Sequence, residues 1–559
     1  MAHRHPVPNT ARAEEGEDEG KEEARVPPVN EIHPRTERDA GLARRAGYGA
    51  AFFIASAGTL VMEITAGRLL APYVGMSLYS WTAIIAVVLA GLSLGNWCGG
   101  YLSDRPAERQ VSWIGFAFAL AAASSLLSLV LLRQLSGPIL GLGLGTVGSV
   151  LAITFAAFFL PSFFPGLVGP PLTRLAIAIV PGREGRVLGQ MFALGTLGAI
   201  AGTLTSGYLF IAWLGSIGTV LAVSAIYAVT AAAFLAAGRR RSAAGGGGGR
   251  EGTAALVFLV ALTGGLVLLG ERSGAFTSPC DRESSYYCIR VFDAAPQTGR
   301  PSATLVLDHL GHGVNDKAAP DYYWSGYIEL TDRVIRARLG GRRDFSAYFI
   351  GGGAYTLPRG WRARYPEAAL TIAEIDPEVT RMARDRLWLV SAADMRILHQ
   401  DARVALARRP TGARYDVIIG DAFRDISVPA HLVTLEFAEL VRDHLNPAGS
   451  YALTVIDEPR RTRFLFSVVK TLSRVFLEVE VWAEVAQLQS GGQITYLVVA
   501  GDQPSPAGRI DSRVEPDRVW VRWPASDLGP QVMASDSPVL TDDYAPVDRL
   551  LGAVLTEIE

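Results

Sequence analysis

The stretch Ser346-Ala-Tyr-Phe-Ile-Gly-Gly-Gly-Ala-Tyr355, followed by Thr371-Ile-Ala-Glu-Ile-Asp376, decides the fold of the C-terminal half of this chain. A short apolar strand runs into three glycines, and a second strand then ends in Glu374. Glycine is needed where a ligand approaches the backbone closely, because no Cβ intrudes there. An acidic residue at the end of the second strand can accept hydrogen bonds from ribose hydroxyls. The pattern is that of the nucleoside-binding half of an α/β domain. Gly351, Gly352 and Gly353 alone are a weak signal. They gain force from Asp401, after the next strand, and from Asp421, at the end of Tyr415-Asp-Val-Ile-Ile-Gly420. With Glu374, these positions fall at the carboxyl ends of successive strands, where open α/β sheets bind ligands. Any one such carboxylate is equally well read as a helix cap. Three together are not.

Outward from this stretch, strands are expected at 286–292, 303–307, 346–350, 370–375, 415–419, 450–456 and 494–500. Helices are expected at 376–388, 401–408, 432–445 and 461–475. This alternation implies a mostly parallel sheet covered on both faces.

The chain has 559 residues, enough for two or three domains, and 49% of them are hydrophobic. Mean hydropathy is +0.24, high for a soluble enzyme, and the apolar excess lies between Ala46 and Gly270. Long apolar runs at 47–71, 79–102, 111–133, 138–160, 163–180, 188–212, 217–237 and 254–270 make seven or eight candidate membrane spans. Pro165, Pro170 and Pro171 suggest that 163–180 is a broken or re-entrant helix. Glu63 and Arg68 stand inside the first run, where charges are costly and usually face a partner or a cavity. A net charge of −2 argues against a nucleic-acid partner.

Residues 1–42, with Glu14-Glu15-Gly16-Glu17-Asp18-Glu19, read as a disordered tail. Arg239-Arg240-Arg241 and the glycines 245–249 form a basic, flexible connection of the kind that favours the cytoplasmic side. One more crossing at 254–270 would then put the α/β domain outside, and sequence leaves that open. Cys98 is a packing residue in an apolar helix. Cys280 and Cys288 bracket the turn into the first strand, and a disulfide or two thiols fit equally well. No His/Cys cluster has metal-ligand spacing.

Residues 280–500 resemble the spermidine synthase (polyamine aminopropyltransferase) family. The resemblance is carried by Glu283-Ser-Ser-Tyr-Tyr-Cys-Ile289, Leu305-Val-Leu-Asp308, the Gly351 loop, Ala373-Glu-Ile-Asp376, Asp401-Ala402 and Tyr415 through Asp421. Glu63-Ile-Thr-Ala-Gly-Arg-Leu-Leu-Ala-Pro-Tyr73, Leu89-Ala-Gly-Leu-Ser-Leu-Gly95, Leu194-Gly-Thr-Leu-Gly198 and Leu540-Thr-Asp-Asp-Tyr-Ala-Pro-Val547 are similar to bacterial proteins described as fused transporter/spermidine synthases. The resemblance implies a multi-pass α-helical membrane domain (43–271) in the bacterial cell membrane. Behind it comes an α/β methyltransferase-like (Rossmann-type) domain with a small N-terminal β element (272–505), then a C-terminal extension packing on that domain (506–559). It implies that Glu374 holds the ribose, that Asp401 contacts the adenine, and that Asp421 is the base that deprotonates an attacking amine. Gly351, Gly352, Gly353, Ala402 and His312 would complete the nucleoside site, with Tyr286, Arg424 and Asp425 on the substrate side. The implied co-substrate is decarboxylated S-adenosylmethionine or S-adenosylmethionine, without a metal. The acceptor would be a small amine or polyamine, and a homodimer stays open.

The departures from the family pattern bear on the reaction. The family's Gly-Gly-Gly-Asp-Gly loop has Ala354 at its acidic position. Its Asp-Ser-Ser-Asp-Pro loop is here Asp421-Ala-Phe-Arg-Asp425, which brings in a cation, and its donor-contacting glutamine aligns with His312. A donor that keeps its carboxylate suits Arg424, unless Arg424 points to solvent. His309 and His312 are candidate acid–base groups or plain loop histidines. Asp542, Asp543 and Tyr544 read as an acidic turn, or as a segment that could close over the pocket. The leading expectation is alkyl or aminopropyl transfer from an adenosyl sulfonium to an amine. The alternatives are a transporter or sensor that binds such a ligand without turnover, and a methyltransferase.

Overall fold

The computed structural model describes residues 34–244, 250–389, 394–410, 412–424, 426–490 and 492–551. Of the expected tail, residues 1–33 lie outside this range, as do the five glycines 245–249. Residues 34–42 are not tail but the start of the first helix.

The membrane part comprises α1 (Pro34–Val74), α2 (Leu78–Ser103), α3 (Ala107–Leu140), α4 (Gly145–Gly166), α5 (Gly169–Ala178), α6 (Glu184–Thr205), α7 (Ile211–Ala244) and α8 (Arg250–Arg272). Five helical stretches among the described residues are long and apolar enough to cross a bilayer. The expected separate spans at 138–160 and 163–180 are one stretch, Val147–Ala178, broken only between α4 and α5. Pro161 and Pro165 lie inside α4, as prolines can where neighbouring helices satisfy the freed backbone. The last stretch, Glu184–Arg241, has 58 residues. That is about three times the roughly 20 a bilayer needs. It folds back at Gly215, whose φ of 70° is left-handed, so it makes two passes.

Helix directions follow from close contacts. A Cβ built on Gly198 or Gly202 of α6 would strike α1 at Phe53 or Ala57, so α6 runs parallel to α1. On α7 the order reverses: Tyr227 donates to the Ala55 carbonyl at 3.2 Å, and Arg241 to the Tyr48 hydroxyl at 3.2 Å. In these packings glycine lets backbones approach where lipid supplies no hydrophobic drive between helices.

Residues 282–316 form a four-stranded antiparallel sheet of β1 (Arg282–Glu283), β2 (Cys288–Asp293), β3 (Ser302–Leu307) and β4 (Leu310–Asp316). A nine-stranded mixed sheet follows, in the order β12-β13-β10-β11-β9-β8-β5-β6-β7. Its strands are β5 (Ser346–Ile350), β6 (Ala369–Ala373), β7 (Arg396–Leu398), β8 (Tyr415–Gly420), β9 (Leu445–Asp457), β10 (Glu478–Glu484), β11 (Ile494–Gly501), β12 (Arg509–Asp511) and β13 (Val519–Arg522). Strands β7, β6, β5, β8 and β9 run parallel, and the rest join antiparallel. Residues of one strand alternate between two cores: Tyr348 and Ile350 belong to one, Ala347 and Phe349 to the other. The region after 505 supplies β12 and β13, so it completes the sheet as well as covering it.

If α6 depends on backbone contact with α1, Gly202→Val should lower the thermal stability of the detergent-solubilised protein by about 1–3 kcal/mol. A Cβ there meets Ala57 Cα at 2.8 Å, whereas one at Gly100 meets nothing within 4 Å. Gly100→Val is therefore expected to melt like the wild type.

Candidate functional site

Strand β5 lies between β6 and β8, so the chain order reverses at its carboxyl end. Open α/β sheets form their ligand crevice at this switch point. Gly351 leaves β5 with φ 93° and Gly353 follows with φ 49°, conformations that side chains disfavour. A Cβ on Gly351 would come within 2.7 Å of the Asp421 carbonyl oxygen. The glycines thus bring the ends of β5 and β8 together.

Glu374, at the end of β6, turns its carboxylate into this loop. It accepts from Gly352 N at 2.8 Å, Gly353 N at 3.3 Å and Asp376 N at 2.9 Å. Burial nonetheless raises its pKa above the usual carboxylate value. His312 lies on β4 with its backbone carbonyl 3.6 Å from a Cβ built on Gly353. Burial pushes the His312 imidazole down to about 4, so near neutral pH it is uncharged.

Asp421 is the most perturbed carboxylate of this crevice. Its Oδ1 is shut from solvent without a hydrogen-bond partner, and burial pushes the carboxyl up to about 7, with the Thr454 hydroxyl pulling the other way. A buried polar atom without a partner costs about 1–3 kcal/mol and is common where a ligand supplies the missing bond. Tyr327 lies close enough for Asp421 to raise the pKa of its phenol, after burial.

Asp401 is occupied differently. Its Oδ1 caps the helix Ala402–Ala407 through Val404 N at 3.0 Å, and its Oδ2 meets His431 Nε2 at 2.8 Å. The bond from His431 holds this carboxyl below the usual range. The Ala402 carbonyl accepts from the Tyr348 hydroxyl at 2.8 Å. Beside them, Arg403 forks onto Asp542 with two bonds of 2.6 Å, so the C-terminal segment is pinned against this end of the sheet.

Of the residues expected to face a substrate, Tyr286 is 44% exposed. Tyr287 donates to the Phe423 carbonyl at 3.2 Å. Arg424 is exposed on the loop after β8, and its backbone pairs with Ser427. Asp425 lies outside the described residues. Ala354 is buried in the apolar core at 1% exposure, and no carboxylate stands at that point of the loop.

Three features carry no sequence signal. Ser284 donates to Asp376 and accepts from Tyr286 N at 3.0 Å and Tyr287 N at 2.9 Å. Arg68, from α1, donates to the carbonyls of Ser284 and Tyr286, the latter at 2.8 Å. His431 approaches Asp401 from 30 positions away. The Ser284–Asp376, Arg68–Ser284, Arg68–Tyr286 and His431–Asp401 contacts each join residues at least 30 positions apart. The structure joins Cys280 to Cys288 in a disulfide.

No family model matches this chain. Over 104 residues it is 36% identical to a probable polyamine aminopropyl transferase of Bifidobacterium longum, covering 19% of this chain and 22% of that protein. Over 101 residues it is 35% identical to the polyamine aminopropyltransferase of Vibrio vulnificus, covering 18% of this chain and 34% of that one. The chain thus spans about a fifth to a third of these relatives' lengths. A crystal structure of a probable spermidine synthase from Corynebacterium glutamicum is 21% identical, covering 48% of this chain and 99% of that one, with a TM-score of 0.43. Spermidine synthase from Thermotoga maritima is 17% identical, covering 50% and 83%, with a TM-score of 0.31.

Arg68 holds the Ser284–Tyr287 turn, and hydrogen bonds from a charged donor are worth about 1.5–3 kcal/mol. Arg68→Ala should therefore speed amide exchange at Tyr286 and Tyr287 about tenfold or more, read by hydrogen–deuterium exchange. Exchange in β5 and β8 should stay unchanged.

Proposed function

We propose that the α/β domain catalyses group transfer from an adenosyl sulfonium co-substrate to an amine acceptor at the membrane surface. The observation that carries this reading is Asp421, a half-buried carboxylate whose Oδ1 is shut from solvent and orphaned beside the glycine loop. A protonated amine is no nucleophile, and a carboxyl poised near neutral pH is suited to take its proton. The sulfonium, when bound, supplies an activated leaving group, so the protein's main tasks are positioning and proton removal. On this reading Gly351, Gly352 and Gly353 admit the nucleoside close to the backbone, and Glu374 presents its remaining lone pairs to the ribose. Asp401, fixed by His431, marks the adenine end. The unbonded Asp421 oxygen and the glycine backbone fit such a ligand. The local identity to polyamine aminopropyltransferases supports the same reaction class.

Two observations favour a second reading, transfer of a methyl group from a donor that keeps its carboxylate. Ala354 offers no anion for a donor amine, and the exposed Arg424 adds a cation to the loop that follows Asp421. Product analysis separates the two. The full-length protein in detergent would be incubated with decarboxylated S-adenosylmethionine or S-adenosylmethionine and a panel of amines. Mass spectrometry then distinguishes methylthioadenosine from S-adenosylhomocysteine. The leading reading expects methylthioadenosine, lost about a hundredfold or more in Asp421→Asn. Binding of the donor without either product would favour a sensor or transporter role and contradict both.

The pH profile gives an independent check. The base must be ionised to accept a proton, so kcat/KM should fall as pH drops through about 7, the value to which burial pushes Asp421. A profile flat between pH 6 and about 8 would remove Asp421 from the proton-transfer role.

A further inference from the structure

The α/β domain sits on one end of the helix bundle. Arg290 of β2 reaches the Pro72 carbonyl near the end of α1, at 3.5 Å. Glu283 accepts from Ser216 N, just after the fold-back at Gly215, at 2.8 Å. Arg68 and Arg133 share a cavity with Thr277, Pro279 and Cys280. This end of the bundle is therefore made by the connections at 75–77, 141–144 and 212–216. None of them contains a lysine or an arginine.

The opposite end is marked by its own contacts. Arg45 bonds Gln190, Arg241 bonds the Tyr48 hydroxyl at 3.2 Å, and Arg174 pairs with Asp104 at 3.0 Å. The start of α1, the α2–α3 and α5–α6 connections and the end of α7 thus lie together. They carry Arg105, Arg109, Arg183, Arg186 and the Arg239–Arg241 cluster. Loops rich in lysine and arginine stay in the cytoplasm, and acidic residues contribute little to that bias. Seven arginines thus mark one end, against Arg272 and Arg282 in the connection after α8 at the other, and this bias favours one orientation of the bundle.

A second observation is independent of charge. Cys280 and Cys288, on the segment that links α8 to β2, form a disulfide. Disulfides persist in oxidising compartments and are rare in the cytosol. The bond lies at the end of the bundle that charge assigns to the outside.

We infer that the α/β domain and its carboxylate crevice face away from the cytoplasm. Ligands of the crevice then come from the external compartment or through the membrane part. A cytoplasmic adenosyl sulfonium would need a transport step before meeting Asp421, and an amine acceptor would be an external solute. The inference rests on helix directions, arginine placement and the disulfide, and not on the proposed transfer, so either can fail alone.

The test uses the full chain in a Gram-negative host. Alkaline phosphatase, active only outside, and green fluorescent protein, fluorescent only inside, are each fused after the last residue and, separately, into the loop after Arg241. The inference expects active phosphatase and dark fluorescent protein at the C-terminus, and the reverse in the loop. The unfused protein in spheroplasts should lose its α/β domain to added protease, and Cys280 and Cys288 should label with an impermeant maleimide only after reduction. A fluorescent C-terminal fusion, or an α/β domain protected until the membrane is breached, would overturn it. Where fusions and protease disagree, protease access of the unfused chain decides.

Discussion

The Glu374 carboxylate accepts from the backbone of Gly352, Gly353 and Asp376, so one side chain ties the loop after β5 to the turn after β6. The cost of burying a carboxylate is several kcal/mol, offset by bonds worth about 1.5–3 kcal/mol each to a charged acceptor. The glycine loop cannot relax without orphaning that charge. Gly351 in turn leaves no room between itself and the Asp421 carbonyl. The ends of β5, β6 and β8 are thus locked as a unit, and the crevice is preformed.

That unit is joined to the membrane. Asp376 both caps its own helix, through Glu378 N at 2.9 Å, and accepts from Ser284. Arg68 holds Ser284 from α1. A membrane helix is therefore connected to the Glu374 end of the crevice through two side chains and one backbone carbonyl. The disulfide and Glu283 fasten the same segment from the other side. A shift of α1 would be felt first at Tyr286 and Tyr287, the exposed and half-buried rings beside the crevice. The tie gives a physical basis for coupling between the membrane part and the site.

The parallel strands β5, β6 and β8 were legible because they are short apolar runs stopped by glycine or an acidic residue. Strand β10 was not. Its Glu-Val-Glu-Val alternation reads as polar surface, yet Glu480 is buried and bonded to Arg522 at 2.7 Å and to Ser505. The break expected within 163–180 falls between α4 and α5, while Pro161 and Pro165 lie inside α4. The carboxylates at strand ends were legible as a set, but their present partners were not. Asp401 is also a helix cap, the role each such carboxylate taken singly suggests. The partners Ser284–Asp376 and Arg68–Ser284 are 92 and 216 residues apart, and no local pattern encodes such distances.

The central claim is that the crevice at the ends of β5, β6 and β8 holds an adenosyl nucleoside. Isothermal titration of methylthioadenosine into the full-length protein in detergent tests it without any need for turnover or for the right acceptor. The account predicts one site per chain, with affinity at least tenfold weaker in Glu374→Gln that melts like the wild type. Absence of binding to the folded wild type, or equal binding in that variant, would contradict it.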